Sequence, residues 1–166
     1  ISRRTCLTLG AGAASALLSR QVVAAAPSAV VVELFTSQGC SSCPPADALL
    51  DELRTMPGVV ALTYHVDYWD YLGWKDTLGS PEYSQRQYDY AKARGDMDVY
   101  TPQMVINGSR HVVGSNRSTV LDALGEARQA AWQVPMSLTD TAKEIIVEIG
   151  EGQGDATLWV MPLLGK

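Results

Sequence analysis

Hydrophobic positions in the first part of the chain predict a strand, a helix and a second strand. Residues 29–35 form a nearly continuous apolar, β-branched run, which is typical of a central strand buried on both faces. Pro44 and Pro45 can open a helix, whose first positions need no N–H donor. Residues 46–54 then carry apolar side chains on one helical stripe, and residues 59–66 repeat the pattern of a buried strand.

The following residues predict a loop, two more helices and a hairpin. Ser80-Pro81 is typical of a helix start and Gly95 of a helix end, while Asn107-Gly108 is a strong hairpin signal. The predicted elements are a loop over 67–80, a helix over 81–94, strands over 104–106 and 110–113, and a helix over 118–132. The predicted fold class is therefore α/β, with a central mixed sheet flanked by helices.

The pattern changes after Pro135. Residues 143–149 alternate between polar and apolar, residues 150–154 read as a turn, and residues 156–161 read as another strand. A lone hairpin is only marginally stable. We therefore expect residues 134–166 to be the start of a partial, truncated β-rich region that follows the α/β domain of residues 27–133.

The first 26 residues have the composition of an export signal. They contain Arg3, Arg4 and Arg20 and no acid, then a weakly apolar stretch, then small residues before Pro27. The arginine pair indicates the twin-arginine route. The alternative is a short amphipathic helix of the mature protein. An export signal predicts a periplasmic or secreted bacterial protein.

Charge and hydropathy exclude two classes of partner. Removing residues 1–26 takes away three positive charges and no negative ones, which lowers the formal net charge from −5 to −8. An acidic protein repels phosphate backbones, so we expect no nucleic-acid partner. No apolar run reaches the ~18–20 residues of a membrane span, so none is expected after signal removal.

The candidate chemistry lies in Cys40 and Cys43. With Cys6 in the predicted signal, they are the cysteines of the mature chain, and an oxidising compartment lets a disulfide persist. A Cys-x-x-Cys pair after a strand and at a helix start is the redox arrangement of a thioredoxin fold. The helix N-terminus should lower the pKa of Cys40 below the ordinary ~8.5, making Cys40 the attacking and Cys43 the resolving sulfur. A zinc site would need a second cysteine or histidine pair.

Two further features bear on this pair. Thr101-Pro102 comes just before the third strand, where thioredoxin-like folds place a cis-proline beside the cysteines; the alternative is an ordinary trans proline. Glu33 interrupts an apolar strand, and thioredoxins carry a proton-moving buried acid in the corresponding strand. Here the spacing from Glu33 to Cys40 is one residue longer, and a structural carboxylate bonded to a hydroxyl is the equal alternative.

Three segments resemble a secreted, thioredoxin-like bacterial family known as domain of unknown function 1223. They are VVELFTSQGCSSCPPAD at residues 31–47, HVDYWDYLGWKD at 65–76 and YTPQMVING at 100–108. The resemblance extends over about residues 29–165. It implies a thioredoxin-like fold, export, and a β-rich carboxyl-terminal part that this chain truncates. It implies no particular substrate.

The loop of residues 67–80 is rich in aromatic and acidic side chains. Trp69 and Trp74, with Tyr68 and Tyr71, could form a substrate-binding face together with Thr101. The preferred interpretation is a lid that buries these rings against the sheet. Its acids, Asp67, Asp70 and Asp76, are expected to form a solvated face, and His65 to pack or hydrogen-bond at the strand end.

The sequence therefore predicts an exported thiol-disulfide oxidoreductase without a cofactor or metal. It would exchange Cys40–Cys43 with a protein or small-thiol partner. One alternative is a Cu(I)-binding protein that uses the same thiols, assisted by His65 or Met104. The other is a non-catalytic module whose disulfide braces a loop.

Overall fold

The computed structural model describes residues 29–130, 134–141 and 143–153. The predicted export signal and the predicted strand over 156–161 lie outside these ranges. A short 3-10 helix over Asp70–Leu72 lies between β2 and α2. The main elements in chain order are β1 (Val30–Thr36), α1 (Pro44–Leu53), β2 (Val59–His65), α2 (Pro81–Arg94), β3 (Gln103–Ile106), β4 (Arg110–Val113), α3 (Arg117–Gln129), β5 (Met136–Asp140) and β6 (Ile145–Ile149).

Strands β1 to β4 form a mixed sheet in the order β2-β1-β3-β4. β1 pairs with β2 in parallel and with β3 in antiparallel, and β4 pairs with β3 in antiparallel. This confirms the predicted mixed α/β architecture. β2 is only partly buried, contrary to the prediction, because it lies at one edge of the described sheet.

Alternation along β1 divides the core between the two faces of the sheet. Val32 and Leu34 pack with α1 and α3, where Leu53 is fully buried. Burying one such leucine contributes ~1.5–3 kcal/mol. On the other face Phe35 packs with Tyr64 and Val66, with aromatic side chains from α2 and from the loop between β2 and α2 around them. α1 and α2 therefore lie on opposite faces.

The predicted start and end signals of α2 and the predicted turn between β3 and β4 are confirmed. Ser80 is the N-cap of α2 and its hydroxyl accepts a hydrogen bond from the Glu82 N–H, while Gly95 ends the helix in the left-handed conformation. Asn107 and Gly108 both have positive φ, and with Ser109 they form the three-residue connection between the paired residues Ile106 and Arg110. α3 ends at Gln129, because Ala130 is already extended, so the predicted helix end at residue 132 is wrong.

The prediction for the carboxyl-terminal region missed one strand. The described hairpin pairs Met136–Asp140 with Ile145–Ile149, so residues 145–149 have a partner before them in the chain. β5 carries only two apolar residues, and all five of its residues are exposed, so its pattern is weak. No helix within the described ranges is long and apolar enough to cross a membrane.

Candidate functional site

Strand register brings three segments to one edge of the sheet. Thr36, the last residue of β1, pairs with His65 at the end of β2. Phe35 pairs with Gln103 at the start of β3. The cysteine segment, the loop after β2 and the Thr101-Pro102 segment therefore all begin or end at this edge.

The two cysteines form a disulfide at the start of α1. Their Cα atoms are 5.4 Å apart, and Cys43 is the N-cap residue of the helix. Cys40 retains 3% of its accessible surface, whereas Cys43 retains none. Both cysteines are therefore buried, and the roles of Cys40 as attacking and Cys43 as resolving sulfur stay predictions.

The N-terminus of α1 offers fewer free N–H groups than an ordinary helix. Pro44 and Pro45 have none, and the N–H groups of Ala46 and Asp47 both donate to the Cys43 carbonyl. The Ser42 hydroxyl lies 3.5 Å from Cys40 Sγ. A Cys40 thiolate would therefore depend on the Ser42 hydroxyl more than on the first turn of α1.

The Thr101-Pro102 segment is connected to the cysteine segment from two sides. The Thr101–Pro102 bond is cis, as predicted. The Pro102 carbonyl accepts a hydrogen bond of 2.9 Å from Gly114 N–H. A Cβ atom on Gly114 would lie 3.1 Å from Ala46 Cβ, so strand end and helix are in close contact here.

On the other side, Trp69 bridges the same two segments. Its Nε1 donates to Thr101 Oγ1 over 2.8 Å. A Cβ atom added to Gly39 would lie 3.1 Å from Trp69 Cβ. Trp69 thus packs directly beside the residue that precedes Cys40.

Some rings of the aromatic loop, residues 67–80, pack against the sheet, and others are exposed to solvent. Tyr68 and Trp69 pack against the Phe35 cluster, as the lid interpretation predicts. Tyr71 and Trp74 do not, since they are 79% and 63% exposed, so the lid interpretation is wrong for these two rings. Trp74 Nε1 donates to Gln38 Oε1 over 3.3 Å, which holds the ring beside the cysteine segment.

Asp76 connects this loop to the cysteine segment by hydrogen bonds. It is 1% exposed, so the prediction of a solvated face is wrong for it. Its Oδ2 accepts from Gln38 N–H and pairs with His65 Nδ1, each over 2.8 Å, and Oδ1 accepts from Leu78 N–H. Burial raises the pKa of Asp76, but the hydrogen bonds from Gln38, His65 and Leu78 outweigh it, and the net shift is downward.

Glu33 is not brought to the cysteines. It lies on the α2 face of β1, opposite α1, and its carboxylate pairs with Arg86 over 2.6 Å and with the Tyr90 hydroxyl. Burial, followed by the hydrogen bond to Glu33, raises the pKa of Tyr90. The residue sits in a buried ion-pair cluster that ties α2 to the sheet, next to the cation–π contacts of Arg86 with Tyr64 and Tyr90.

Two buried glutamines that sequence reasoning missed hold the Thr101-Pro102 segment. Gln87 Nε2 donates to the Tyr100 carbonyl and to Gln103 Oε1, and Gln87 Oε1 accepts from Tyr68. Gln103 Nε2 donates in turn to the Asp98 carbonyl. The burial of Gln87 could have been predicted from its position, because it lies on the same stripe of α2 as Ser84 and Ala91.

The proposed helpers of a copper site are engaged in other contacts. His65 is hydrogen-bonded to Asp76, and Met104 is packed in the core between the sheet, α1 and α3. Within the described ranges, no group of three or more His, Cys, Asp or Glu side chains could hold a metal ion. No observation therefore favours the copper alternative.

The fold and site define a mixed α/β protein with a disulfide-bonded Cys-x-x-Cys pair at a helix N-terminus. The family model described as "Protein of unknown function (DUF1223)" matches residues 31–164, and the chain belongs to this family. It is also similar to the crystal structure of protein AGR_C_4864 from Agrobacterium tumefaciens, with 46% identity and a TM-score of 0.67. The match covers 79% of this chain and 60% of that protein, so the chain spans less than two thirds of its length. A search of the curated proteins found no match.

Proposed function

We propose that the protein is an exported thiol-disulfide oxidoreductase with a thioredoxin-like fold. The observation that carries the proposal is the Cys40–Cys43 disulfide at the start of α1, at the sheet edge where Thr101-Pro102 enters β3. The sheet order β2-β1-β3-β4, with helices on both faces, supports the thioredoxin-like assignment. Pro102 has no N–H to donate, which leaves the segment free to accept the backbone of a bound partner.

In the reducing direction, the Cys40 thiolate attacks one sulfur of a partner disulfide. The partner S–S bond breaks, the attacked sulfur stays bonded to Cys40 in a mixed disulfide, and the other partner sulfur leaves as a thiolate, which takes up a proton. Cys43 then loses its proton and attacks Cys40 Sγ, which closes the Cys40–Cys43 disulfide and releases the attacked partner sulfur as a thiolate. Two electrons pass from the dithiol to the partner, and the oxidising direction is the reverse sequence.

The proposed location and partner rest on the sequence. The composition of residues 1–26 supports export by the twin-arginine route to the periplasm or beyond. The partner is a protein or small thiol, since the chemistry needs only an accessible sulfur. Outside the cytoplasm, such a pair can either oxidise or reduce a partner, and its reduction potential relative to that of the compartment decides which.

A structural disulfide is the second candidate, and the near-complete burial of both cysteines favours it. A bridge that only braces the loop would have a reduction potential below about −300 mV. A redox-active pair would equilibrate with glutathione or dithiothreitol at a higher potential. Titration of the full chain in such buffers separates the two.

The function itself is tested by reduction of insulin with the full chain and dithiothreitol. We expect a rate above background that Cys40→Ser abolishes, while reduced Cys43→Ser, mixed with insulin after removal of the dithiothreitol, performs the first step and accumulates a mixed disulfide. Ser41→Ala is a matched control within the same loop. A wild-type rate equal to that of Cys40→Ser with several reductants would refute the enzyme.

A further inference from the structure

Next to the cysteine pair, the loop of residues 67–80 presents four large apolar side chains to solvent. They are Tyr71, Leu72, Trp74 and Leu78, each more than half exposed, and together they are called the aromatic rim below. Isolated exposed apolar residues are ordinary, but several in one short loop beside a candidate redox site are typical of an interaction site. The rim is therefore a candidate for the place where a partner is held.

The rim is fixed to the cysteine segment. Gln38, two residues before Cys40, accepts a hydrogen bond from Trp74 Nε1 and donates its N–H to the buried Asp76. Asp76 N–H in turn donates to Asp70 Oδ1 within the loop. A surface held in place before binding loses less conformational entropy when a partner docks.

The same loop reaches the segment opposite the cysteines. Trp69, two residues before Tyr71, donates to Thr101 Oγ1. The rim is thus continuous with both sides of the candidate redox site. A chain whose cysteine lies against Cys40 would place neighbouring side chains over these rings.

Apolar side chains make up most of this surface. Residues 71–74 are Tyr-Leu-Gly-Trp and carry no charge, Asp70 and Asp76 accept backbone hydrogen bonds, and Lys75 is exposed next to Trp74. Recognition would then come mainly from contact with apolar side chains, beside the ammonium group of Lys75. Small thiols such as glutathione are too short to cover several rings at once.

Resting on the proposed function, we propose that the aromatic rim selects polypeptide partners, binding an extended segment whose cysteine is flanked by apolar residues. The rim contributes to the capture of a protein substrate and not to the sulfur exchange itself. Aromatic anchors at interfaces dominate binding energy, so truncation of the rim should act on protein substrates selectively.

The test compares two substrates in the full chain, insulin and the small disulfide 5,5′-dithiobis(2-nitrobenzoate). The double variant Tyr71→Ser/Leu72→Ser leaves the bonds of Gln38 in place. We expect its kcat/KM for insulin to fall about 10-fold, the effect of losing about 1.4 kcal/mol of contact energy. Its rate with the small disulfide should stay within about 2-fold of wild type. Tyr88→Ala, which removes a ring 42% exposed on α2, is the matched control and should change neither rate.

Each other outcome decides against the inference. Equal losses on both substrates would make the rim a structural part of the redox site, and no loss on insulin would remove it from recognition. A dimer in sedimentation that the double variant dissolves, with an unchanged insulin rate, would assign the surface to a second copy of the chain. If wild type matches Cys40→Ser on both substrates, the proposed function fails and this inference fails with it.

Discussion

The indole Nε1 of Trp69 donates a hydrogen bond of 2.8 Å to Thr101 Oγ1, joining the loop after β2 to the residue before Pro102. The Cβ of the same tryptophan lies against Gly39, the neighbour of Cys40. One side chain therefore spans the two segments that would enclose a mixed disulfide.

Trp69→Phe should loosen both segments while keeping most of the packing. Loss of one partly buried hydrogen bond costs about 1 kcal/mol of unfolding free energy, and we expect the exchange rate with insulin to fall several-fold. Urea denaturation and the insulin assay measure the two effects.

Thr101→Val removes the other partner of the bond and serves as its control. Because the two residues share one interaction, the double variant should lose less stability than the two single variants together. Strictly additive losses would show that the bond contributes nothing.

Glu33→Gln should destabilise the protein without changing the chemistry of the cysteines. The substitution leaves Arg86, 24% exposed, facing a neutral amide, and breaking such a pair costs up to about 3–5 kcal/mol when burial is complete. Partial exposure of Arg86 places the expected loss at about 2–3 kcal/mol. Denaturant unfolding measures it.

The pH profile of Cys40 alkylation in the reduced protein tests the chemical part. Glu33 lies on the face of β1 opposite α1, so the profile of the variant should match that of wild type. A profile displaced by half a pH unit or more would restore Glu33 to the role of proton carrier.

Local patterns made much of the fold predictable. The β1–α1–β2 unit, the Ser80 cap, the Asn107-Gly108 turn and the position of the cysteines each depend on residues close together in the chain. The same patterns indicated which side chains share a face of β1. They did not indicate which helix covers the face of β1 that carries Glu33. Because α2 covers it, Glu33 is surrounded by Arg86 and Tyr90.

The parts of the site that could not be predicted depend on contacts distant in sequence. In the sequence, Asp76 looks like any other acid of a polar loop. Its burial and its hydrogen bond to Gln38, 38 residues earlier in the chain, are visible only in the structure. Exposure of Tyr71 and burial of Trp69 follow from the path of the loop and not from composition.

Asp76→Asn should destabilise the protein in a pH-dependent way. The pKa of Asp76 is lowered in the folded state, so its carboxylate contributes stability that is present above the ordinary carboxyl pKa and is lost as the pH falls through the folded value. At pH 7 we expect the variant to lose about 1–3 kcal/mol, because the amide disturbs bonds to Gln38 and His65.

Below about pH 4 the difference between wild type and Asp76→Asn should shrink. Urea titrations from pH 3 to pH 7 measure this convergence. Asp122→Asn, an exposed acid on α3, is the control and should follow wild type throughout. A stability gap that stays constant from pH 7 to pH 3 would contradict the prediction.

Gln87→Leu should remove the buried hydrogen bonds that hold the Thr101-Pro102 segment in place. Gln87 is fully buried and contacts the Tyr100 carbonyl, Gln103 and Tyr68. A leucine of similar size leaves these groups without their partner, at a cost of about 2–3 kcal/mol. Because the segment would contact large and small substrates alike, the exchange rates with insulin and with 5,5′-dithiobis(2-nitrobenzoate) should fall together, unlike the selective loss expected for the aromatic rim.

Gln85→Leu, an exposed position on the same helix, is the matched control. Rates that hold while stability falls would leave Gln87 a structural residue with no part in positioning the site.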